Sequence, residues 1–206
     1  MAIRRLILVT GGARSGKSTY AEQLALQIAG DSPILFVATA TADDAEMSAR
    51  IANHQASRPS HWITLESAID PGSAILLHPL AKTTPVIIID CLTLLTTNLL
   101  LRALGGAEDD ATVDMSAIEQ QIMPAIERLL TAYTMLDATM ILVTNEVGMG
   151  IVPAYPLGRI YRDLLGRVNA TVAKASDIVL LMVAGLPVNI TKLNQQWQQQ
   201  LTDLLK

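Results

Sequence analysis

Cysteine is nearly absent from this chain: Cys91 is the only one in 206 residues. No disulfide can form within one chain, and a reducing compartment is the natural expectation. Aromatic residues are scarce too, at 3%, whereas half of all residues are hydrophobic, so the core has to be built from Ala, Val, Ile, Leu and Met. Charge is thin and slightly acidic. A formal net charge of -4 and a pI of about 5.3 argue against a broad electrostatic footprint for nucleic acid. Long apolar runs are missing as well. The longest, Ile178 to Val188, is broken by Gly185 and Pro187 and falls short of the roughly 20 residues a membrane helix needs. The opening "MAIRRLILVTGG" has two arginines before an apolar run but leads into a glycine-rich motif, not a small-residue cleavage site. A cleaved leader is therefore not expected, and the protein reads as soluble and cytoplasmic.

What is present is a regular alternation. Apolar runs rich in branched residues stand at 6–10, 34–39, 86–90, 140–144 and 178–183. Their near-continuous apolarity suits strands buried on both faces of a parallel sheet. Helix-like stretches lie between them, at 17–29, about 43–56, 92–104, 116–136 and 158–175, and this order indicates α/β architecture. "IVLLMVAGLPVNIT" reads as strand, tight turn and strand, so the sheet should end in an antiparallel hairpin. A C-terminal helix follows, whose leucines and Trp197 suggest docking on the body. Residues 105–114 read as an acidic surface loop. No repeat or linker divides the chain, so 1–206 is expected to be a single nucleotide-binding domain.

The clearest chemical signal is "GGARSGKS", which fits G-x-x-x-x-G-K-[ST] as Gly11, Gly16, Lys17 and Ser18. It follows an apolar strand and opens a helix, the setting in which this motif binds a triphosphate. Glycines let main-chain N–H groups converge on phosphate oxygens, and the helix adds its positive end. Lys17 should reach the outer phosphates, and the Ser18 hydroxyl can ligate Mg²⁺. Asp90 ends "VIIID", where a carboxylate beside the phosphate loop would orient the metal; capping the next helix is its other reading.

A second cluster, "RIANHQASRPSHWITLE" at 50–66, holds two of the three histidines, two arginines and a tryptophan. Asp43 and Glu46 resemble a capping pair for a helix carrying Arg50 and His54, which share a face at a spacing of four. Spacing alone leaves His54 open as a surface residue, a proton carrier or a nucleophile. Its seven-residue distance from His61, without a cysteine nearby, argues against structural zinc. Beside a nucleotide, a histidine flanked by Arg50 and Arg58 can attack phosphorus while the guanidiniums offset charge on oxygen.

Taken together, "TGGARSGKS", "ATATADDAEM", the histidine segment, "DCLTLLTTNLL", "TNEVGMGIVP" and "GRVNATVAKASDIV" resemble the bifunctional adenosylcobinamide kinase / adenosylcobinamide-phosphate guanylyltransferase family of cobalamin biosynthesis. The resemblance covers nearly the whole chain. It implies a recombinase-like P-loop NTPase fold and a homotrimer. It implies two reactions, with ATP or GTP phosphorylating adenosylcobinamide and GTP then donating GMP through a guanylylated histidine. His54 matches that histidine, with Lys17 and Arg58 assisting. The nucleotide contacts implied are Gly11, Gly12, Ala13, Arg14, Ser15, Gly16, Lys17 and Ser18, then Thr39, Ala40 and Thr41, then Gln55, Ala56, Ser57, Arg58, Glu66 and Asp90. Ser18 and Asp90 are the implied Mg²⁺ ligands.

The chain departs from the pattern at two places. Asn53 stands where some members have a second histidine, and Asp90 where some have glutamate. Residues 67–85 align with nothing and receive no role. The stretch "EVGMGIVPAYPLGR" (146–159) is the expected corrinoid contact, through Met149, Ile151, Val152 and Tyr155; a structural loop is the alternative. Two further readings of the whole chain are a single-step P-loop kinase of a small hydroxylated metabolite and a nucleotide-driven switch ATPase.

Overall fold

The computed structural model describes residues 4–41, 58–105 and 114–205. Seven strands form one sheet: β1 (Leu6–Gly11), β2 (Ile34–Ala38), β3 (Ile63–Glu66), β4 (Val86–Asp90), β5 (Thr139–Val143), β6 (Ile178–Val183) and β7 (Leu186–Asn189), in the spatial order β3-β2-β4-β5-β1-β6-β7. Every pairing is parallel except β6 with β7, the expected antiparallel hairpin. Period-two alternation explains why the central strands are apolar throughout. Leu6 and Leu8 of β1, Leu35 and Val37 of β2, and Ile87 and Ile89 of β4 enter one core. Their neighbours Ile7, Val9, Ile34, Phe36, Val86 and Ile88 enter the other.

The described helices are α1 (Lys17–Ala29), α2 (Pro71–Leu77), α3 (Leu92–Leu104), α4 (Met115–Thr134), α5 (Pro156–Ala175) and α6 (Ile190–Leu204). The first core lies beneath α2, α3, α4 and α5, and the second beneath α1. The expected helix at about 43–56 and most of the acidic loop at 105–114 fall outside the described residues.

Three elements were not anticipated. β3 is an edge strand with only Thr64 and Leu65 partly covered, so it lacks the continuous apolar run that marks its buried neighbours. The role-less stretch 67–85 holds α2 and a 3-10 turn at Pro79–Lys82. Side chains set both starts: Asp70 accepts from Ser73 N at 3.2 Å, and His78 Nδ1 accepts from Leu80 N at 3.3 Å.

One expectation needs correction. The C-terminal helix forms and its start packs beside β6, but its apolar stripe stays largely exposed. No residue of α6 is buried, and Leu193 and Trp197 are 51% and 58% exposed. The reason is where the helix starts. Asn189 is the last residue of β7, the outermost strand, and its side chain caps α6 by accepting from Lys192 N at 2.8 Å. The helix therefore leaves from the sheet's far edge, where it packs on β6 alone among the larger contacts.

Candidate active site

The site is assembled where β1, β2, β4 and β5 end. β1 lies between β5 and β6, and β5 separates it from β4. Loops leaving the carboxyl ends of adjacent parallel strands enclose a crevice, the usual ligand position in this architecture. A cavity of about 550 Å³ lies there, within the range of small-molecule sites.

The loop after β1 forms its floor. Gly16 has φ 91°, left-handed backbone that only glycine adopts without cost, and it delivers the chain into α1 with no side-chain cap. The first N–H groups of α1 are thus left for an acceptor other than a capping side chain. Lys17 is 8% exposed, and its Nζ donates to Gly12 O at 2.6 Å and to Ser15 Oγ at 3.5 Å. Burial lowers its pKa, while Cys91 and Asp90 oppose that shift. An ammonium held among main-chain carbonyl and hydroxyl oxygen beside a carboxylate can turn toward an incoming phosphate.

Asp90 ends β4 at the same cavity. Its strand register places it level with Ala38 on one side and Val143 on the other. Ser18 and Asp90 both line the cavity. One hydroxyl and one carboxylate suit Mg²⁺, a hard ion that takes few protein oxygens and completes its shell with phosphate and water.

Arg58 closes a third side. Its side chain is only 8% exposed, with Cζ 3.4 Å from the Phe36 ring centroid, a close cation–π contact. Glu22 Oε1 lies 3.9 Å from Arg58 Nε, and Arg58 Nη1 is 3.5 Å from Thr64 Oγ1. Burial lowers the Arg58 pKa, with Glu22 and then Asp90 acting against it; an arginine nevertheless stays charged. Trp62 stacks behind Phe36 at 6.2 Å between centroids.

Of the residues expected to contact nucleotide, the structure brings Ala13, Arg14, Ser15, Gly16, Lys17, Ser18, Ala40, Arg58 and Asp90 to the cavity wall. Gly11, Gly12, Thr39, Thr41 and Glu66 do not line it. Thr39 is the clearest departure: it is fully buried, and its hydroxyl is bonded to the Cys91 main chain at 2.8 Å in both directions. It builds the wall from behind and does not face the cavity. Glu66 is exposed at the end of the edge strand β3. His54, Gln55, Ala56 and Ser57 lie outside the described residues.

Sequence reasoning passed over Phe36, Cys91, Thr93 and Asn145, which also line the cavity. Phe36 lies mid-strand in β2, and the other three follow the ends of β4 and β5, positions readable only once the strand order is known. Asn145 is held from both sides: its N–H donates to Thr93 Oγ1 at 2.8 Å, and its carbonyl accepts from Asn169 Nδ2 at 3.0 Å.

Residues 7–190 match the family model CobU: Cobinamide kinase / cobinamide phosphate guanyltransferase. The chain belongs to this family. It is 46% identical over 196 residues to the bifunctional adenosylcobalamin biosynthesis protein CobU of Salmonella typhimurium, and 44% identical over 187 residues to that of Escherichia coli K12. Each alignment covers 90% of this chain and 99% of the relative. Bifunctional adenosylcobalamin biosynthesis protein CobP of Pseudomonas aeruginosa is 40% identical over 181 residues, covering 88% of this chain and 94% of its own. Among solved structures, an ATPase from the type III secretion system of pathogenic bacteria matches 92% of this chain and 58% of its own, with a TM-score of 0.54 and 12% identity. That likeness concerns the fold alone, a mostly parallel sheet flanked by helices. The match to the CobU family ends at Ile190, where α6 begins.

Proposed function

We propose that this member of the CobU family makes adenosylcobinamide-GDP by two successive transfers at the cavity between the phosphate loop and Asp90. In the first, the aminopropanol hydroxyl of adenosylcobinamide attacks the γ-phosphorus of ATP or GTP. An O–P bond forms, the β–γ bridge breaks, the nucleoside diphosphate leaves and the hydroxyl proton is lost to solvent. In the second, a neutral imidazole nitrogen of His54 attacks the α-phosphorus of GTP and pyrophosphate departs. The phosphate of adenosylcobinamide phosphate then displaces the histidine, breaking the N–P bond and taking the GMP group.

The observation that carries this reading is the convergence of three groups on one cavity: the phosphate loop with Lys17, the carboxylate of Asp90, and the buried guanidinium of Arg58. Arg58 follows His54 by four residues, so the cationic wall and the nucleophile belong to one short stretch of chain. Lys17 and the loop N–H groups hold the triphosphate, and Arg58 offsets the charge that develops on its oxygens. Ser18 and Asp90 would hold Mg²⁺, which when bound neutralises the phosphates.

The corrinoid acceptor fits the loop after β5. Met149 and Ile151 are 79% and 96% exposed, Val152 and Tyr155 are exposed beside them, and the loop begins at Asn145 on the cavity wall. Such an apolar rim suits the face of a large ring whose reacting tail must enter the cavity. No helix among the described residues is long and apolar enough to cross a membrane. Family membership supports a cytoplasmic homotrimer acting on small molecules, with no nucleic acid partner.

The test uses GTP labelled at the α-phosphate, with Mg²⁺ and without corrinoid, followed by denaturation. Label retained by the wild type, stable to base, lost in acid and missing from His54→Ala is the expected result. No retained label despite intact GTP binding would remove the covalent step and leave the kinase reaction alone.

A further inference from the structure

Beside the cavity stands a residue that does not line it. Glu22 lies on α1, four residues after Ser18, so it rides on the helix that carries the phosphate loop. Its carboxylate faces Arg58 Nε at 3.9 Å, with the two side chains 26% and 8% exposed. That separation is an ion pair but is too long for a hydrogen bond. On its other face the guanidinium is stacked on Phe36 at 3.4 Å, and Nη1 reaches Thr64 of β3 at 3.5 Å. An aromatic ring, a strand hydroxyl and an acid on α1 thus hold one cation at the cavity wall.

We propose that Glu22 is a positioning residue for guanylyl transfer and acts through Arg58. Two arguments support it. First, a guanidinium taken this far out of water needs an opposite charge close by, and Glu22 is the acid nearest to its Nε in the ion pairs of the described residues. Asp90, which also faces the cavity, is wanted by the metal. Second, stacking on Phe36 fixes the plane of the guanidinium but leaves it free to slide across the ring. A carboxylate at Nε, with the Thr64 hydroxyl at Nη1, fixes that remaining freedom.

The inference rests on the reading that Arg58 serves the triphosphate, and a double-mutant cycle separates the two. The rate measured is pyrophosphate release from GTP in the presence of adenosylcobinamide phosphate, in wild type, Glu22→Gln, Arg58→Ala and the double variant. Glutamine keeps the size of the side chain and removes its charge. Bound GTP, followed by fluorescence, and the thermal midpoint report folding in each variant.

The expected result is a fall of about tenfold in kcat for Glu22→Gln, of the size a charge-assisted contact carries, with the KM for GTP little changed. Arg58→Ala should lose about a hundredfold, and the double variant should be no slower than Arg58→Ala. If the two losses multiply, Glu22 acts independently of Arg58 and the proposal is overturned. If Glu22→Gln turns over like wild type while Arg58→Ala is slow, the proposal fails and the role of Arg58 stands. If Arg58→Ala itself turns over normally, both fall. A variant that binds no GTP is replaced by Phe36→Leu, which removes the stacking surface. Loss of kcat there that is not deepened by Glu22→Gln supports the same linkage, and an independent loss overturns it.

Discussion

The side chain of Thr39 and the main chain of Cys91 are hydrogen-bonded in both directions: Oγ1 donates to the Cys91 carbonyl and accepts from the Cys91 N–H, each at 2.8 Å. Thr39 N also donates to Asp90 O at 3.2 Å. The end of β2 thus grips the chain on both sides of the Asp90 side chain. Thr39→Val keeps the shape and removes the hydroxyl, leaving the Cys91 N–H without its acceptor. A loss of about 2–3 kcal/mol in unfolding free energy is expected, read from urea denaturation. Because Asp90 loses its support as well, kcat should fall more than GTP affinity does. Thr39→Ser should restore both.

The loop after β5 carries the next prediction. Met149 and Tyr155 are 79% and 63% exposed, so replacing them by alanine costs the fold little. If they cover the corrinoid, each truncation should weaken adenosylcobinamide binding about tenfold, in line with the apolar area lost. Label transfer from GTP to the protein should be unaltered. Unchanged corrinoid affinity in the double variant would make the loop structural and send the search for the acceptor site elsewhere.

Much of this architecture was legible, and the exceptions have causes. Strands buried on both faces announce themselves by unbroken branched residues, which is why β1, β2, β4 and β5 could be placed; β6, only partly covered, carries the same kind of run. β3 could not, because an edge strand covered on one side has no such run. The phosphate loop and Asp90 were readable because their chemistry is tied to fixed offsets from a strand. The direction of the Thr39 side chain was not readable for a related reason. A threonine at a strand end can face the ligand or the neighbouring chain, and only the strand order β2-β4 decides that it faces Cys91. The partners of Arg58 come from α1, β2 and β3, three places distant in sequence, and no local pattern joins them. The apolar stripe of α6 was read correctly as a stripe, but a stripe does not say what it packs against.

Two groups at the cavity titrate away from their ordinary values, and the sign differs in its consequence. Burial, with Asp90 adding to it, pushes the Cys91 thiol up to about 11 from 9.0. In the unfolded chain it ionises first, so this group's contribution to stability is full below pH 9 and is lost as pH rises toward 11. Lys17 is shifted down by burial. The unfolded state then binds more protons below the lysine's usual value of 10.5, and its contribution rises with pH through that window. The sharper test is chemical. At pH 8.5 the folded thiol should react with iodoacetamide about a hundredfold more slowly than in urea, following the thiolate fraction. Mass spectrometry after timed quenching checks it. Equal rates would mean that the thiol is neither buried nor shifted as the structure places it. Lys17→Met should leave the fold as stable as before, or more so, near neutral pH, since it removes a desolvated charge, while abolishing nucleotide turnover.

Glycine to alanine should have opposite effects at two helical positions. Gly72 lies in α2, whose start is fastened to α4 by the Asp70–Arg128 ion pair at 2.9 Å. A Cβ built on Gly72 would stand 2.7 Å from the main-chain carbon of Arg128 and the nitrogen of Leu129. Neither atom can move without displacing α4, which carries Ile122, Ile126 and Leu129 into the core. Gly72→Ala should therefore cost about 1–3 kcal/mol through overpacking, lowering the urea midpoint with little change in slope. Gly166, inside α5, has nothing within 4 Å of the added carbon. There alanine only removes the entropy penalty of a helical glycine and should stabilise by about 0.5–1 kcal/mol. Both sites stand outside the cavity lining, so guanylyl transfer below the unfolding range should match wild type in each. If Gly72→Ala were neutral, α2 and α4 would not be in the close main-chain contact that fixes how β3 and β4 are joined.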